Sequence, residues 1–583
     1  MRRYEEDWMT AWRSGDVTEL MNRFGITNIT ARILWSRGFR TPEQVASYLY
    51  GDEKIAWPRL AGTDEFVRVM REALAEGGRF RVFGDYDVDG VTGTYLMVTA
   101  LRMLGADTDY RIPDRVADGY GISEEMVRQA KADGVRTIVT VDNGITAVSQ
   151  CALAKKLGMR VVVTDHHDPQ ERLPETDCTI DPKLAEGAER YDNVCGAVVA
   201  GLLADALLAT EHMDGFCDRT VEILTLATIC DVMELSGIAR EILRKGMLKP
   251  VREWNAGLRA LCAVTGTQES VRTYGFGFVL GPCINALGRL ETADPGVELM
   301  LTNDDSLRLE YAQRMFEVNQ RRREQSDFYT REAIRLADEK VMSRGCDDPV
   351  LVLYLPGCHE SIAGIVCGKV REAWNRPVFL LTDAAGTEGL LKGSGRSTES
   401  FSMIDAMNAN ADLFVKYGGH PMAAGLTIES DRVEEMRQRM AEEFRNQGAS
   451  LRRSRRIDLE VPFSQLSHAV IEEIAMMEPF GKGNSEPLFA LRNVALVGMR
   501  RVGNEGKFLS MRLRDSQGTE LKGMLFDDAD GFLAEFREKF GDAETDRTMY
   551  GRGTSCMTIL YTAKENHFRD NVSIEVELKG YRF

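Results

Sequence analysis

Arg79-Phe-Arg-Val-Phe-Gly-Asp-Tyr-Asp-Val-Asp-Gly90 begins as a strand and ends with three carboxylates within five residues. Arg79 to Phe83 has the aromatic and β-branched content of a buried strand, and Gly84 closes it. Carboxylates at 85, 87 and 89 repel one another. A fold keeps them at a strand end only where something positive neutralises them. A helix is expected from Thr92 to Leu104. The pattern then recurs. The strand Thr137–Val141 runs into Asp142-Asn-Gly144, and Arg160–Thr164 runs into Asp165-His-His-Asp168, with helical segments at Ser123–Ala132 and Ala147–Leu157. Such alternation implies a parallel sheet covered by helices. Ligands of such sheets bind at the carboxyl ends of the strands. Three strands therefore deliver Asp and His to one edge.

Each piece also has a plainer reading. An acidic loop such as Asp85–Asp89 is often a solvated turn or a calcium loop, although the terminal Glu of an EF-hand is missing. Asp142-Asn-Gly is good turn chemistry. Asp231 ends the apolar run Leu226-Ala-Thr-Ile-Cys230 and could simply cap a helix. Asp165-His-His-Asp168 is harder to set aside, because the chain has seven His and two stand side by side after a strand. Taken together and in order, the set exceeds what turns explain. Oxygen and imidazole donors suit Mn²⁺ or a similar divalent ion, and the supply is enough for two ions sharing a carboxylate. Such a pair polarises a phosphoryl oxygen, activates water and stabilises a leaving oxygen.

The chain has 583 residues, enough for two to four domains, and is 44% hydrophobic and 28% charged. The most apolar stretch, Val194 to Leu208, is broken by Asp205 and too short to span a bilayer. The first residues lead into no signal core. A cytoplasmic protein is expected. The eleven Cys form no C-x-x-C pair, which argues against a disulfide scaffold or structural zinc. A net charge of −17 excludes a general nucleic-acid coat but not an enzyme with a local basic groove.

The absence of Gly and Pro between Gly296 and Gly345 predicts a long helix joining two lobes. A second α/β segment follows, with strands at Val350–Tyr354 and Pro377–Leu381, and then a basic linker, Leu451–Arg456. Five short strands are expected at Asn493–Val497, Lys507–Leu513, Glu520–Leu525, Met557–Thr562 and Val572–Leu578, which suits an OB-fold barrel. The fold class is therefore α/β: a parallel-sheet domain (61–302), a connecting helix (303–345), a smaller α/β domain (346–450) and a C-terminal β-barrel (451–583), preceded by a helical extension (1–60).

The ordered set Asp85-Tyr-Asp-Val-Asp-Gly90, Asp142-Asn-Gly144, Asp165-His-His167 and Asp231 resembles the DHH phosphoesterase family. Gly281-Pro-Cys-Ile-Asn-Ala-Leu-Gly-Arg289 and Glu478-Pro-Phe-Gly-Lys-Gly-Asn-Ser-Glu-Pro487 resemble its RecJ branch. Gly393-Ser-Gly-Arg-Ser397 and Gly418-Gly-His420 resemble the associated DHHA1 domain. The resemblance covers roughly residues 60 to 583. It implies metal ligation by Asp87, Asp89, Asp142, His166 and Asp231, with Asp142 bridging. Asp85 and His167 would be catalytic, and His167 would touch the scissile phosphate. Asn285, Arg289, His359, Arg396, Gly418, Gly419 and His420 would hold the substrate strand. The implied cofactor is Mn²⁺ or Mg²⁺, as two ions. The implied activity is 5′→3′ digestion of single-stranded DNA to 5′-mononucleotides in DNA repair and recombination. A monomer is expected, with a single-stranded-DNA-binding protein and a helicase as partners by analogy. The chain departs from the family pattern at Leu287, Gly395, Cys358 and Ser361, all on the substrate side.

Three other readings compete. A phosphodiesterase for short oligonucleotides or cyclic dinucleotides needs only the first two lobes. A non-enzymatic replication factor on the same fold loses metal ligands, yet every motif position here carries a usable Asp or His. An inorganic pyrophosphatase has a related site but no need for the barrel.

Overall fold

The structure, a computed structural model, describes the whole chain except residues 1–5, 12–13, 52–53, 116–117, 120, 268–270, 344–347, 385, 527 and 569–570. The chain begins with strand β1 (Glu6–Thr10) and three helices, Thr18–Phe24, Asn28–Ser36 and Pro42–Tyr50. Strands β2 (Arg79–Phe83), β3 (Thr108–Arg111), β4 (Val135–Val141), β5 (Arg160–Thr164) and β6 (Cys178–Ile180) form a parallel sheet in the order β3-β2-β4-β5-β6. The chain leaves β2 for one neighbour and returns to the other side at β4. The crevice between their carboxyl ends is thus a topological switch point, where ligands bind in open sheets of this kind.

The helix after β2 runs Val88–Met103, four residues earlier at its start than the sequence suggested. Asp87 is the reason, since its side chain accepts from the Asp89 and Gly90 amides and caps the helix. The last residues of the acidic motif therefore form the first turn of a helix.

The expected connecting helix runs Asp305–Ser343. At 1.5 Å per residue its 39 residues extend about 58 Å. Ala312, Met315 and Val318 belong to the core of the parallel-sheet lobe, whereas Ala333, Ala337 and Val341 belong to the core of the next lobe. One rigid rod thus enters both. The expected boundary at 345/346 lies outside the described residues.

The second lobe is a mixed sheet of β7 (Leu351–Tyr354), β8 (Val378–Asp383), β9 (Leu390–Arg396), β10 (Phe414–His420) and β11 (Ala423–Glu429), in the order β10-β11-β9-β8-β7. Only β7 and β8 pair in parallel. Strand β12 (Arg453–Ile457) and the two-residue β13 (Leu459–Glu460) lead into the C-terminal lobe. That lobe is a closed barrel of β14 (Phe489–Val502), β15 (Phe508–Arg514), β16 (Glu520–Leu525), β17 (Cys556–Phe568) and β18 (Asn571–Arg582), shut by β14 pairing with β17. All five expected strands are present, most of them longer than the sequence suggested.

Two segments differ from expectation. Leu451–Arg456, read as a linker, contributes most of β12, which pairs in parallel with β1. Glu6 and Asp7 neutralise Arg455 and Arg452, at 3.1 and 2.8 Å. The N-terminal residues, read as a helical extension ahead of the parallel-sheet domain, share one core with the barrel. Ile29, Ile33, Leu34 and Val45 pack with Phe463, Phe489 and Tyr561.

Candidate metal centre and strand groove

Every acidic group of the cluster sits on the end of a regular element. Asp85 follows β2, and the loop turns so tightly that a Cβ on Gly90 would lie 2.4 Å from the Asp85 amide nitrogen. Asp87 is the cap already described. Asp89 accepts from the Gly196 and Ala197 amides, at 2.6 and 2.8 Å. Those amides open the helix Gly196–Ala209, and helix N-termini favour anions. Asp142 follows β4 at φ 62°, in the left-handed region. Gly196 packs on it so closely that a Cβ there would be 2.6 Å from the Asp142 Cβ. Asp231 ends the helix Val221–Cys230.

These groups converge. His166 Nε2 is 3.1 Å from Asp142 Oδ1, 3.6 Å from Asp89 Oδ2 and 3.7 Å from Asp231 Oδ2. Three overlapping triads each bring their donor atoms within 4.8 Å: Asp85/Asp87/Asp142, Asp89/His166/Asp231 and Asp142/His166/His167. Asp142 and His166 are each shared by two triads. All seven catalytic and metal candidates named from the sequence are therefore in one place.

The electrostatics call for a positive charge. Burial, then neighbouring carboxylates, pushes Asp85 and Asp142 well above the ordinary carboxylate range, and Asp87 upward too. The same causes take Asp231 to about 8. Burial lowers the His166 pKa, leaving the neutral ring that a metal binds. Asp85 Oδ1 and His166 Nε2 are buried without a hydrogen-bond partner among the described residues. Orphaned acceptors among crowded carboxylates fit a divalent cation, and the O/N donor set suits an ion such as Mn²⁺ or Mg²⁺.

His167 is held differently. Its Nδ1 lies 2.7 Å from Asp165 Oδ1, which also accepts from the His166 and His167 amides. Asp165 Oδ2 accepts from the Ile145 amide at 3.0 Å. Burial disfavours the charged ring, but the Asp165 bond outweighs it and raises the pKa to about 9. Asp165, 1% exposed, is a positioning residue: it opens the Asp165-His-His-Asp168 motif but is not among the ligands and catalytic groups that the resemblance implies.

The substrate-side candidates divide. Arg289 donates through Nη1 to the Ser361 carbonyl at 2.8 Å, while Ser361 Oγ donates to the Arg289 carbonyl at 2.6 Å, joining the two lobes. Burial first, and then Arg115 and Arg322, lower the Arg289 pKa to about 10. Arg396, on β9, donates to its neighbour's carbonyl at 2.7 Å. Gly418, Gly419 and His420 lie in the edge strand β10 and not in a turn. His420 is exposed, within electrostatic reach of Asp168 of the other lobe. Two candidates are engaged elsewhere: Asn285 Oδ1 accepts from the Val88 amide, and His359 Nδ1 meets Ser361 Oγ at 2.7 Å.

A cleft of about 400 Å³ spans the lobes, lined by Arg115, Ser361, Lys392, Ser394, Lys416 and Gly418 among others. Arg115, whose guanidinium lies 4.4 Å from the Tyr86 ring centroid, has no sequence signal beyond being an isolated basic residue. Lys392 and Lys416 share that anonymity. Two departures from the family pattern gain a physical reason. A Cβ on Gly395 would sit 2.2 Å from Met403 Sδ, so glycine suits this core. Ser361 supplies the hydroxyl that ties Arg289.

A parallel sheet offering Asp and His at its carboxyl edge to a second α/β lobe defines a metal-dependent phosphoesterase of the DHH type. The profile of the DHH family, N-terminal domain, matches residues 79–229, that of the DHHA1 domain 347–446, and that of the RecJ OB domain 457–580. The chain belongs to the RecJ family of single-stranded-DNA-specific exonucleases. It is 35% identical to RecJ of Dickeya dadantii over 491 residues, covering 81% of this chain and 84% of that one. It is 34% identical to RecJ of Escherichia coli, covering 70% and 74%. With RecJ of Bacillus subtilis it is 31% identical over 86% of its own length, but it spans only 63% of that longer relative. The crystal structure of RecJ from Thermus thermophilus in complex with Mn²⁺ superposes with a TM-score of 0.82 at 28% identity, covering 100% of this chain and 80% of that one.

Proposed function

We propose that this chain hydrolyses phosphodiester bonds of single-stranded DNA from the 5′ end, releasing 5′-mononucleotides with two divalent ions bound. The observation that carries the reading is the convergence of Asp85, Asp87, Asp89, Asp142, His166 and Asp231 around common centres. Asp87, Asp89, Asp142, His166 and Asp231 would hold the ions, with Asp142 shared and Asp85 beside them. When bound, the ions would supply Lewis-acid polarisation of the phosphoryl group and a more acidic water.

The chain's own groups do the rest. Asp165 fixes the His167 ring through Nδ1, and His167 would donate to a phosphoryl oxygen as charge develops there. Arg289 and Arg396 grip phosphates of the strand, as guanidinium forks do. The edge strand β10 offers backbone with no side chain at Gly418, where a Cβ would meet nothing within 4 Å, so a strand can approach closely. The barrel would bind bases beyond the groove, which a long strand needs and a dinucleotide does not; this favours DNA strands over the short-oligonucleotide alternative.

The ions would be Mn²⁺ or Mg²⁺, which suit the donor set and which RecJ of Thermus thermophilus takes in two crystal structures. The protein would act as a monomer beside a single-stranded-DNA-binding protein and a helicase. Among the described residues no helix is long and apolar enough to cross a membrane. The test is a nuclease assay with Mn²⁺ on 5′- and 3′-labelled single strands. Mononucleotides should appear from the 5′ label first, and Asp142→Ala should abolish the reaction. Undiminished cleavage by that variant would end the proposal.

A further inference from the structure

Tyr274 and Phe278 are 68% and 62% exposed, one turn apart. Their ring centroids lie 5.2 Å apart with planes inclined by 17°, a stacked pair facing water. The ring between them, Phe276, is buried and stacks on Trp254 at 5.2 Å. The core thus takes one aromatic of this segment and leaves two outside. The segment lies close to the metal cluster: a Cβ on Gly277 would be 3.0 Å from Ile229 Cγ2, and Cys230 Sγ is 3.8 Å from the Phe276 carbonyl. Both contacts fall on the helix that Asp231 terminates.

A row of arginines leads from the cluster to this pair. Arg323 on the connecting helix donates through Nη2 to the Phe278 carbonyl at 3.3 Å. Arg322 precedes it and donates to Asn319 Oδ1 at 2.7 Å. Arg322 in turn lies within electrostatic reach of Arg289, and Arg289 within that of Asp87. Among the described residues none of the three arginines pairs with a carboxylate. Arg314 and Arg321 of the same helix do, both with Glu291. Guanidiniums with no carboxylate at ion-pair distance among the described residues, on a chain of net charge −17, are complementary to phosphates, and an exposed aromatic pair is complementary to a base.

We propose that Tyr274 and Phe278 stack a base of the DNA strand several nucleotides from the scissile bond, while Arg322 and Arg323 hold phosphates in between. The proposal rests on the reading of the chain as a single-strand hydrolase. It adds a binding step on the catalytic lobe itself, apart from the barrel.

The test is fluorescence anisotropy in EDTA, where no cleavage occurs, with a labelled oligothymidylate of about 16 nucleotides. Tyr274→Ala/Phe278→Ala should weaken binding about ten-fold, the effect of losing one stacked base. Tyr274→Trp should retain affinity, and Arg323→Gln should reduce the salt slope by about one phosphate contact. With Mn²⁺ present, dinucleotide hydrolysis by the double variant should equal that of the wild type. Equal strand affinity of wild type and double variant, or a parallel loss of dinucleotide hydrolysis, would overturn the proposal. Wild-type protein that binds the strand but hydrolyses neither substrate would instead overturn the hydrolase reading, and the affinity comparison would still decide the stacking.

Discussion

Asp181 follows β6, 5% exposed, with Oδ1 accepting from the Lys183 amide and Oδ2 buried without a hydrogen-bond partner among the described residues. Burial holds its carboxyl near 6 instead of 3.8. An acid with a raised folded pKa binds its proton more tightly in the folded state. Its contribution is therefore most favourable below pH 3.8 and is lost as the pH rises toward 6. The ionised group costs roughly 3 kcal/mol above that window. Asp181→Asn should thus be more stable than wild type at about pH 7.5, with the gap closing by about pH 4, in urea melts of the metal-free protein. A variant less stable at both pH values would refute this. The same sign governs the metal cluster. Removing divalent ions should lower the melting temperature more at about pH 8 than at about pH 5.5, because protons substitute for the ions only at the lower pH. A chelator effect independent of pH would contradict this account of the raised carboxyls.

At the scale of elements, the site depends on one helix N-terminus meeting one strand end. The Gly196 and Ala197 amides hold Asp89, and Gly196 has room for no side chain beside Asp142. Gly196→Ala should push Asp142 away and weaken Mn²⁺ binding about 10- to 100-fold, the usual scale for disturbing groups behind a metal ligand. Calorimetric titration with Mn²⁺ measures this directly, and wild-type affinity would disprove it. Nothing in Val194-Cys-Gly-Ala-Val-Val-Ala200 announces that role. The residues read only as part of the most apolar stretch of the chain, and their closeness to Asp89 in space is what makes two of their amides functional. The connecting helix was easier to foresee, because the absence of Gly and Pro over residues 297–344 is a local property.

Over the whole molecule, Arg240 is the joint between three regions. It is 4% exposed, its guanidinium lies 4.1 Å from the Tyr48 ring centroid, and Nη2 donates to the carbonyls of Tyr48, Met477 and Glu478. Those partners belong to the N-terminal segment and to the approach to the barrel, so Arg240 sets where the barrel stands relative to the metal cluster. Arg240→Met removes three charge-assisted bonds and takes the donor from the Glu478 carbonyl, and should cost roughly 3 kcal/mol of stability. It should also raise KM for long strands several-fold while kcat on a dinucleotide holds. Equal losses on both substrates would show a general collapse of the catalytic lobe instead. The N-terminal residues gain a role here that their sequence did not suggest: with β1 and Tyr48 they brace the barrel.

The chain alone determined the parallel sheet, the connecting helix, the barrel and the order of the Asp and His motifs. These are written in local patterns: short apolar runs, helix-breaking residues and charges placed after strands. Tertiary structure alone decided that Asp165 orients His167, that Asn285 and His359 are engaged in props and caps, and that Arg115 lines the groove. It also decided that the N-terminal segment belongs to the barrel. Such facts depend on how side chains and distant segments meet in space, for which a single sequence offers no periodic signal. An isolated arginine reads the same whether it faces solvent or a phosphate.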